Sequence, residues 1–413
     1  MSRVGAFLLT LVFTLGLALT AQASDRIYGV ITTVDGDQFE GLIRWDKNEG
    51  SWVDVLDGEK ELPRKNLRKS SRQRYRDRSK TSIKIFGIDI GGGDKYWYDI
   101  GSAQSGIRFG HLRSMEIIDD DAVLLVTKSG LEFEMENGST DIGDEIREIV
   151  IEDEEEGEIE LVWDDIERID FKDTPGRVES DFGKRLYGTL TTRRGEEYTG
   201  YVCWDIDELF EEDILDGNER RRKRKVPFGD IASIERYSSN GATVVLKSGE
   251  DLLLRETNDV NDGNRGIIIS DLGFGQVRVS WDEFEKLEFK EVSRAVSFDD
   301  FDGGRRLYGT VTTEDGDTYT GEVRWDNDEE YSWEILDGEH QDVQFDVEFG
   351  LIKQIERKGY RACIVTVLDG REFRLRGSND VDEDNKGVFV TLDDGEEVEV
   401  EWDDFELVTF EKR

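Results

Sequence analysis

Residues 307–326 read LYGTVTTEDGDTYTGEVRWD, and nearly the same text stands at residues 27–46 (IYGVITTVDGDQFEGLIRWD) and 186–205 (LYGTLTTRRGEEYTGYVCWD). Tyrosine precedes tryptophan by seventeen positions each time: Tyr28 to Trp45, Tyr187 to Trp204, Tyr308 to Trp325. Self-similarity at a fixed spacing marks a repeat architecture. Within each copy, alternating residues flank a glycine-containing turn, which is how a β-hairpin is written. Three tandem copies of a β unit are therefore expected.

Each copy continues alike. A Leu-Asp-Gly turn falls at Asp57, Asp216 and Asp337, and a Phe-Gly pair follows at Phe109, Phe228 and Phe349. A second half then reads VLLVTKSGLEFEM from Val123, TVVLKSGEDLLL from Thr243 and IVTVLDGREFRL from Ile364, closing with VWDDIERIDF, SWDEFEKLEF and EWDDFELVTF. Both halves carry an alternating hairpin and end in an aromatic residue, a tight turn and two spaced aliphatics. Six units of roughly 50 residues result, each marginal alone, so neighbours should supply the missing burial. The boundaries read as repeat one over 24–172, with an inserted basic loop and hairpin at about 61–108, a linker at 173–185, repeat two at 186–290, a linker at 291–306 and repeat three at 307–413. In the insertion, SIKIFGIDIGGGDKYWYDI reads as an added hairpin turning near Gly91 to Gly93.

Strand, turn and strand with a short helical turn before the last strand resembles the small β-barrel modules of the SH3-like and Sm-like type. The resemblance implies an all-β fold in which each repeat holds two small barrels, and it brings no activity with it. A six-bladed β-propeller is the alternative, since six units of four strands also fit a ring.

The first residues, MSRVGAFLLTLVFTLGLALTAQA, place one positive charge before an apolar run and end in small residues, the pattern of a secretory signal peptide over 1–23. The run is short for a membrane span, which takes about 20 residues. An exported product, periplasmic or extracellular and not transmembrane, is expected. The chain carries a net charge of −42, and loss of Arg3, the one charged residue of the leader, gives −43. Such a surface repels nucleic acid and favours cations or basic partners. Cys203 and Cys363 sit at unrelated places of the repeat and read as free buried thiols, with a single disulfide as the alternative.

No nucleophile elbow, phosphate loop or histidine pair is present. His111 and His340 have no nearby ligand partner and read as surface or loop residues. The six tryptophans that end or begin the repeated turns (Trp45, Trp204, Trp325, Trp163, Trp281 and Trp402) read as packing residues. Trp97, with Tyr96 and Tyr98, is the better candidate for stacking on a sugar.

Two features carry possible binding. The first is recurrent acid: Asp326, Glu329 and Asp337, together with Asp380, Asp382 and Asn385, offer alternating oxygens that a hard cation such as Ca²⁺ takes six to eight at a time. Turn formation by Asp, Asn and Gly explains the same residues without a cation. The second is the basic run Arg220, Arg221, Arg222, Lys223, Arg224 and Lys225, with a longer one over residues 64–80, which suits a polyanion or an acidic partner surface.

The function expected is a non-catalytic exported repeat protein, an interaction or structural scaffold of the cell envelope with a protein or polymer partner. The alternative is a Ca²⁺-dependent binding protein for a glycan or envelope polymer. A hydrolase using paired carboxylates ranks third.

Overall fold

The computed structural model describes residues 25–61, 84–85, 88–89, 102–136, 139–176, 178 and 180–412. The expected leader, most of the inserted basic loop and the Tyr96, Trp97, Tyr98 cluster lie outside the described residues. The chain is all-β, and its only helical elements among the described residues are single 3-10 turns. Four of them fall where the sequence places a tight turn before a closing strand, at Phe109–His111, Trp163–Asp165, Phe228–Asp230 and Phe349–Leu351, and two lie elsewhere, at Asn258–Val260 and Phe298–Asp300. No described helix is long and apolar enough to cross a membrane.

The strands form three large antiparallel sheets of ten, twelve and eight strands, and none closes into a barrel. Six closed SH3-like barrels are therefore not what the strand pairing shows, and neither are the separate four-stranded blades of a propeller. The reason is visible in the first sheet. Its order is Gly157–Leu161, Ile149–Asp153, Gln38–Trp45, Tyr28–Thr33, Ile166–Phe171, Leu112–Asp119, Ala122–Thr127, Glu132–Glu136, Val55–Glu61 and Ser102–Arg108.

The opening hairpin of the first half (Tyr28–Thr33, Gln38–Trp45) thus sits between strands of the second half. The later hairpin of the first half (Val55–Glu61, Ser102–Arg108) lies instead beside the opening hairpin of the second. Exchanging the two halves leaves the order unchanged. In this sheet strands of one half lie between strands of the other, and the two groups join where Ile169 pairs with Met115. Repeats two and three follow the same order, except that the Asp-Gly hairpin of repeat three (Ile335–His340, Val343–Glu348) is laddered into the twelve-stranded sheet of repeat two and meets the eight-stranded sheet through the bridge between Glu339 and Arg376.

Equivalence of the repeats also relocates the insertion. Ile214–Glu219 and Arg222–Pro227 are joined by a two-residue turn, Arg220 and Arg221, both at positive φ. In repeat one the matching strands are Val55–Glu61 and Ser102–Arg108, so the extra residues replace that turn and span 62–101. A two-stranded pair inside it matches Ile85 with Ile88, ahead of Gly91 to Gly93.

The repeats touch one another pairwise. One carboxylate per repeat, Asp54, Asp213 or Glu334, caps a turn by accepting two backbone amides, from Gly50 and Ser51 at 2.8 Å, Leu209 and Phe210 at 2.6 and 2.9 Å, and Glu330 and Tyr331 at 2.5 and 2.6 Å. Each also receives a cation from a different repeat or its lead-in: Arg185 reaches Asp54 at 2.9 Å, Arg44 reaches Asp213 at 3.1 Å, and Lys60 bonds Glu334. These buried pairs fix which repeat faces which, since a misdocked partner would leave a charge uncompensated.

Residues 291–306, polar enough to read as a spacer, instead cross repeat one. Phe298 lies 4.6 Å from Trp52, ring to ring, and Lys128 donates to the Phe298 carbonyl at 2.6 Å. His111 is buried there, contrary to a surface placement. Its Nδ1 accepts the Gly303 amide at 3.1 Å, so its Nε2 carries the proton and donates to Glu348 at 3.2 Å. Arg108 completes the junction by donating to the Asp271 carbonyl at 3.1 Å, so residues of all three repeats meet there.

A Cβ added to Gly110 would lie 2.1 Å from the Phe301 ring. Gly110→Ala is thus expected to cost about 1–3 kcal/mol by overpacking, read from denaturant unfolding, with Phe301→Leu in the same chain restoring part of the loss. Both cysteines are free and buried.

Candidate functional site

The strand Gln38–Trp45 and its counterparts run into a tryptophan followed by two residues at positive φ: Asp46 and Lys47, Asp205 and Ile206, Asp326 and Asn327. Aspartate and asparagine tolerate this region better than most residues. The turn closes when Trp45, Trp204 and Trp325 exchange backbone bonds with Glu49, Glu208 and Glu329; the Trp amides reach the Glu carbonyls at 2.8, 2.9 and 2.8 Å. That geometry folds the aspartate carboxylate inward, and Asp46, Asp205 and Asp326 are 0, 0 and 1% exposed.

A second loop meets it. In Ser139-Thr140-Asp141, Thr257-Asn258-Asp259 and Ser378-Asn379-Asp380 each residue has one task. The hydroxyls of Ser139, Thr257 and Ser378 donate to the carbonyls of Asp57, Asp216 and Asp337 at 2.8, 2.7 and 2.6 Å. Thr140, Asn258 and Asn379 donate to the inward aspartates. Asp141, Asp259 and Asp380 accept the amides of Asp57, Asp216 and Asp337 at 2.9, 2.6 and 2.9 Å, while their carbonyls take the indole N–H of Trp45, Trp204 and Trp325 at 2.9, 2.9 and 3.0 Å. The tryptophan is the floor of the cluster as well as core, and Trp163, Trp281 and Trp402 meet it edge-on at 6.3, 6.3 and 6.1 Å.

Three carboxylates therefore converge in each repeat: Asp46, Glu49 and Asp141; Asp205, Glu208 and Asp259; Asp326, Glu329 and Asp380. In repeat two one oxygen from each of Asp205, Glu208 and Asp259 lies within 4.8 Å of the others. Oxygens sharing a Ca²⁺ at about 2.3–2.6 Å each can be separated by up to about 5 Å, so that set is the right size. In all three repeats the Glu Oε2 is buried without a hydrogen-bond partner. Burial is the first cause of the titration shifts, and neighbouring acids add to it. Glu208 is pushed up to about 11, Glu49 and Glu329 well above the usual range, Asp326 and Asp141 to about 7, and Asp259 and Asp337 to about 6. Partial compensation comes from Arg147, Arg265 and Lys386, whose side chains reach the inward aspartates at 3.0, 3.2 and 3.3 Å.

Of the residues expected to hold Ca²⁺, Asp326, Glu329 and Asp380 come together, and Asp337 lies against Asp380. Asp382 and Asn385 do turn work: Asp382 accepts the Asp384 amide at 2.9 Å, and Asn385 accepts the Gly387 amide at 2.9 Å while donating to the Asp380 carbonyl at 3.2 Å. The basic residues Arg147, Arg265 and Lys386 are not among the sequence candidates, although each stands six positions beyond Asp141, Asp259 or Asp380. Asp141 is harder to pick out than Asp259, because Asn264 and Gly266 of repeat two become Ile146 and Glu148 in repeat one.

The run Arg220, Arg221, Arg222, Lys223, Arg224 and Lys225 occupies the turn and outer strand of a hairpin at the edge of the twelve-stranded sheet. Arg224 pairs with Glu219 at 2.6 Å, and Lys223 lies 3.8 Å from Asp216. No family model, curated protein or solved structure matches the chain.

Proposed function

We propose that the chain is a non-catalytic exported scaffold of the cell envelope, built from tandem β modules that associate through sheet edges. One observation carries this reading. Gly275–Val279 of repeat two forms an antiparallel ladder with Val343–Glu348 of repeat three, matching Gln276 with Asp346, Val277 with Phe345 and Arg278 with Gln344. Strand addition at an exposed edge is a general mode of protein recognition, with the backbone giving affinity and side chains giving choice. The fold proposal goes with it: each five-strand group, with its 3-10 turn, is an opened SH3-like unit that has exchanged strands with its neighbour.

Affinity capture from envelope extract at low and high salt tests the scaffold reading. The intact chain is compared with one in which Arg220, Arg221, Arg222, Lys223, Arg224 and Lys225 are neutralised. A partner held by the intact chain and lost by the variant in both conditions supports the basic hairpin as a binding surface. No partner in either condition counts against a partner other than the chain itself.

A second reading, a Ca²⁺-dependent binding protein for a glycan or envelope polymer, is favoured by the Asp205, Glu208 and Asp259 set and its unpartnered Glu208 Oε2. A calorimetric titration is expected to give heat of binding that Glu208→Gln removes. No heat and no rise in melting temperature with Ca²⁺ would sink it.

A further inference from the structure

We propose that the basic edge strand Arg222–Pro227 pairs with the acidic edge strand Glu397–Val400 of a second copy of this chain, joining copies head to tail. The inference rests on the scaffold reading and names its partner. Its template is the ladder between repeats two and three, which shows how one module's last hairpin accepts another module's Asp-Gly hairpin.

That ladder uses one edge of each kind. Among the described residues, Arg222–Pro227 still ends the twelve-stranded sheet, Glu397–Val400 ends the eight-stranded sheet, and Gly157–Leu161 and Ser102–Arg108 end the ten-stranded one. An edge strand is a row of unpaired backbone donors and acceptors, ready to template another strand. Ser102–Arg108 lies against repeat three, where a Cβ on Gly106 would come within 3.0 Å of Ile335. Gly157–Leu161 begins at a hollow it shares with Val178 and Asp181 of the following segment. Glu397–Val400 is exposed in the same pattern as Glu158–Leu161, and the hollow beside the latter leaves Glu397–Val400 as the acidic edge of this contact.

The repeats allow the register to be carried over. Trp281 and Trp402 are equivalent, which sets Glu397 in the place of Gln276 and Glu399 in the place of Arg278. Phe228 and Phe349 are equivalent, which sets Lys225 in the place of Asp346 and Lys223 in the place of Gln344. The observed register then puts Glu397 opposite Lys225, Val398 opposite Arg224 and Glu399 opposite Lys223. Both charge pairs fall on the same face, and Lys223, Lys225, Glu397 and Glu399 are all exposed. Opposite charges facing across antiparallel strands favour pairing, and like charges oppose it. A symmetric pairing of two Arg222–Pro227 strands would set base against base, so the heterologous contact is selected. Such a contact closes into a ring or continues as a fibre. Glu397 also meets the buried Arg324 at 3.2 Å, and Arg324 keeps Asn327 and Glu330 as partners when Glu397 turns to Lys225.

Sedimentation of the purified chain, over a range of concentration and salt, is the test. The weight-average mass is expected to rise to about twofold or more above the monomer at low salt and to fall back above about 0.5 M salt, where exposed charges are screened. K223E/K225E and E397K/E399K, checked for native near-UV dichroism, should each stay monomeric. An equimolar mixture of the two, and a single chain carrying all four changes, should associate again. A monomer at every concentration overturns the proposal, as does association unchanged by the reversals. Loss on E158K/E160K instead of E397K/E399K would move the contact to repeat one and overturn this strand assignment. A monomeric chain that still captures an envelope partner would refute self-pairing while leaving the scaffold reading standing.

Discussion

Trp325→Ala is expected to lower the unfolding free energy of the chain by about 3–5 kcal/mol, the range for a large aromatic removed from a core that cannot collapse. Trp325 is fully buried, with Phe405 at 5.3 Å and Trp402 at 6.1 Å edge-on and Phe349 at 6.4 Å. Its removal also strips the Asp380 carbonyl of the indole N–H, beneath a cluster already crowded with acid. Trp325→Phe keeps most of the packing but not that bond, and its cost should be smaller, roughly 1–3 kcal/mol. Tyr360→Ala, at a site 62% exposed, is the control and should change stability by no more than about 0.5 kcal/mol. Equilibrium denaturation reads all three. A Trp325→Ala cost equal to the control would remove the tryptophan from the role assigned to it.

In the presence of a chelator, the melting temperature is expected to fall between about pH 5 and about pH 8. The sign follows from the buried acids. Asp141, Asp326 and Asp346 are held at about 7, and Asp259 and Asp337 at about 6. In the unfolded chain the same groups ionise near 4. Through that window the unfolded state binds fewer protons than the folded state, so rising pH favours unfolding. The stability these groups contribute is complete below about pH 4 and is lost as pH climbs through their folded values. Glu208→Gln removes an acid of the same size and should raise the melting temperature in chelator at the alkaline end. Should Ca²⁺ bind, it would stabilise the ionised clusters, raising the melting temperature more at about pH 8 than at about pH 5. A melting temperature that is flat or climbing over this range in chelator would mean that the carboxylates are compensated by something other than protons.

The tryptophans, the Asp-Gly turns and the tight turns before the closing strands were legible because the chain writes each of them three times. Strand exchange was not. A hairpin has the same alternation whether it pairs with its own half or with the other, since period and turn chemistry are local while sheet order is not. The loop acids were half legible for a related reason. Asp382 and Asn385 carry the composition of a cation loop, but Asp and Asn oxygens satisfy turn amides equally well, and here they do so. His111 was misplaced because its partners, Glu348 and Gly303, stand far along the sequence.

Strand exchange also sets when each repeat can fold. Gly29 waits for Phe171, Gly188 for Phe289 and Gly309 for Phe410. A chain leaving the ribosome or a translocation pore N-terminus first therefore completes no module until that module's last strand has emerged. Until then the apolar Tyr28–Thr33, Tyr187–Thr192 or Tyr308–Thr313 strand lacks its closing neighbour. Long-range pairing of this kind is slow and leaves intermediates open to mispairing. Like charge opposes the association of such waiting chains, so the net charge of −42 acts before folding as well as after it.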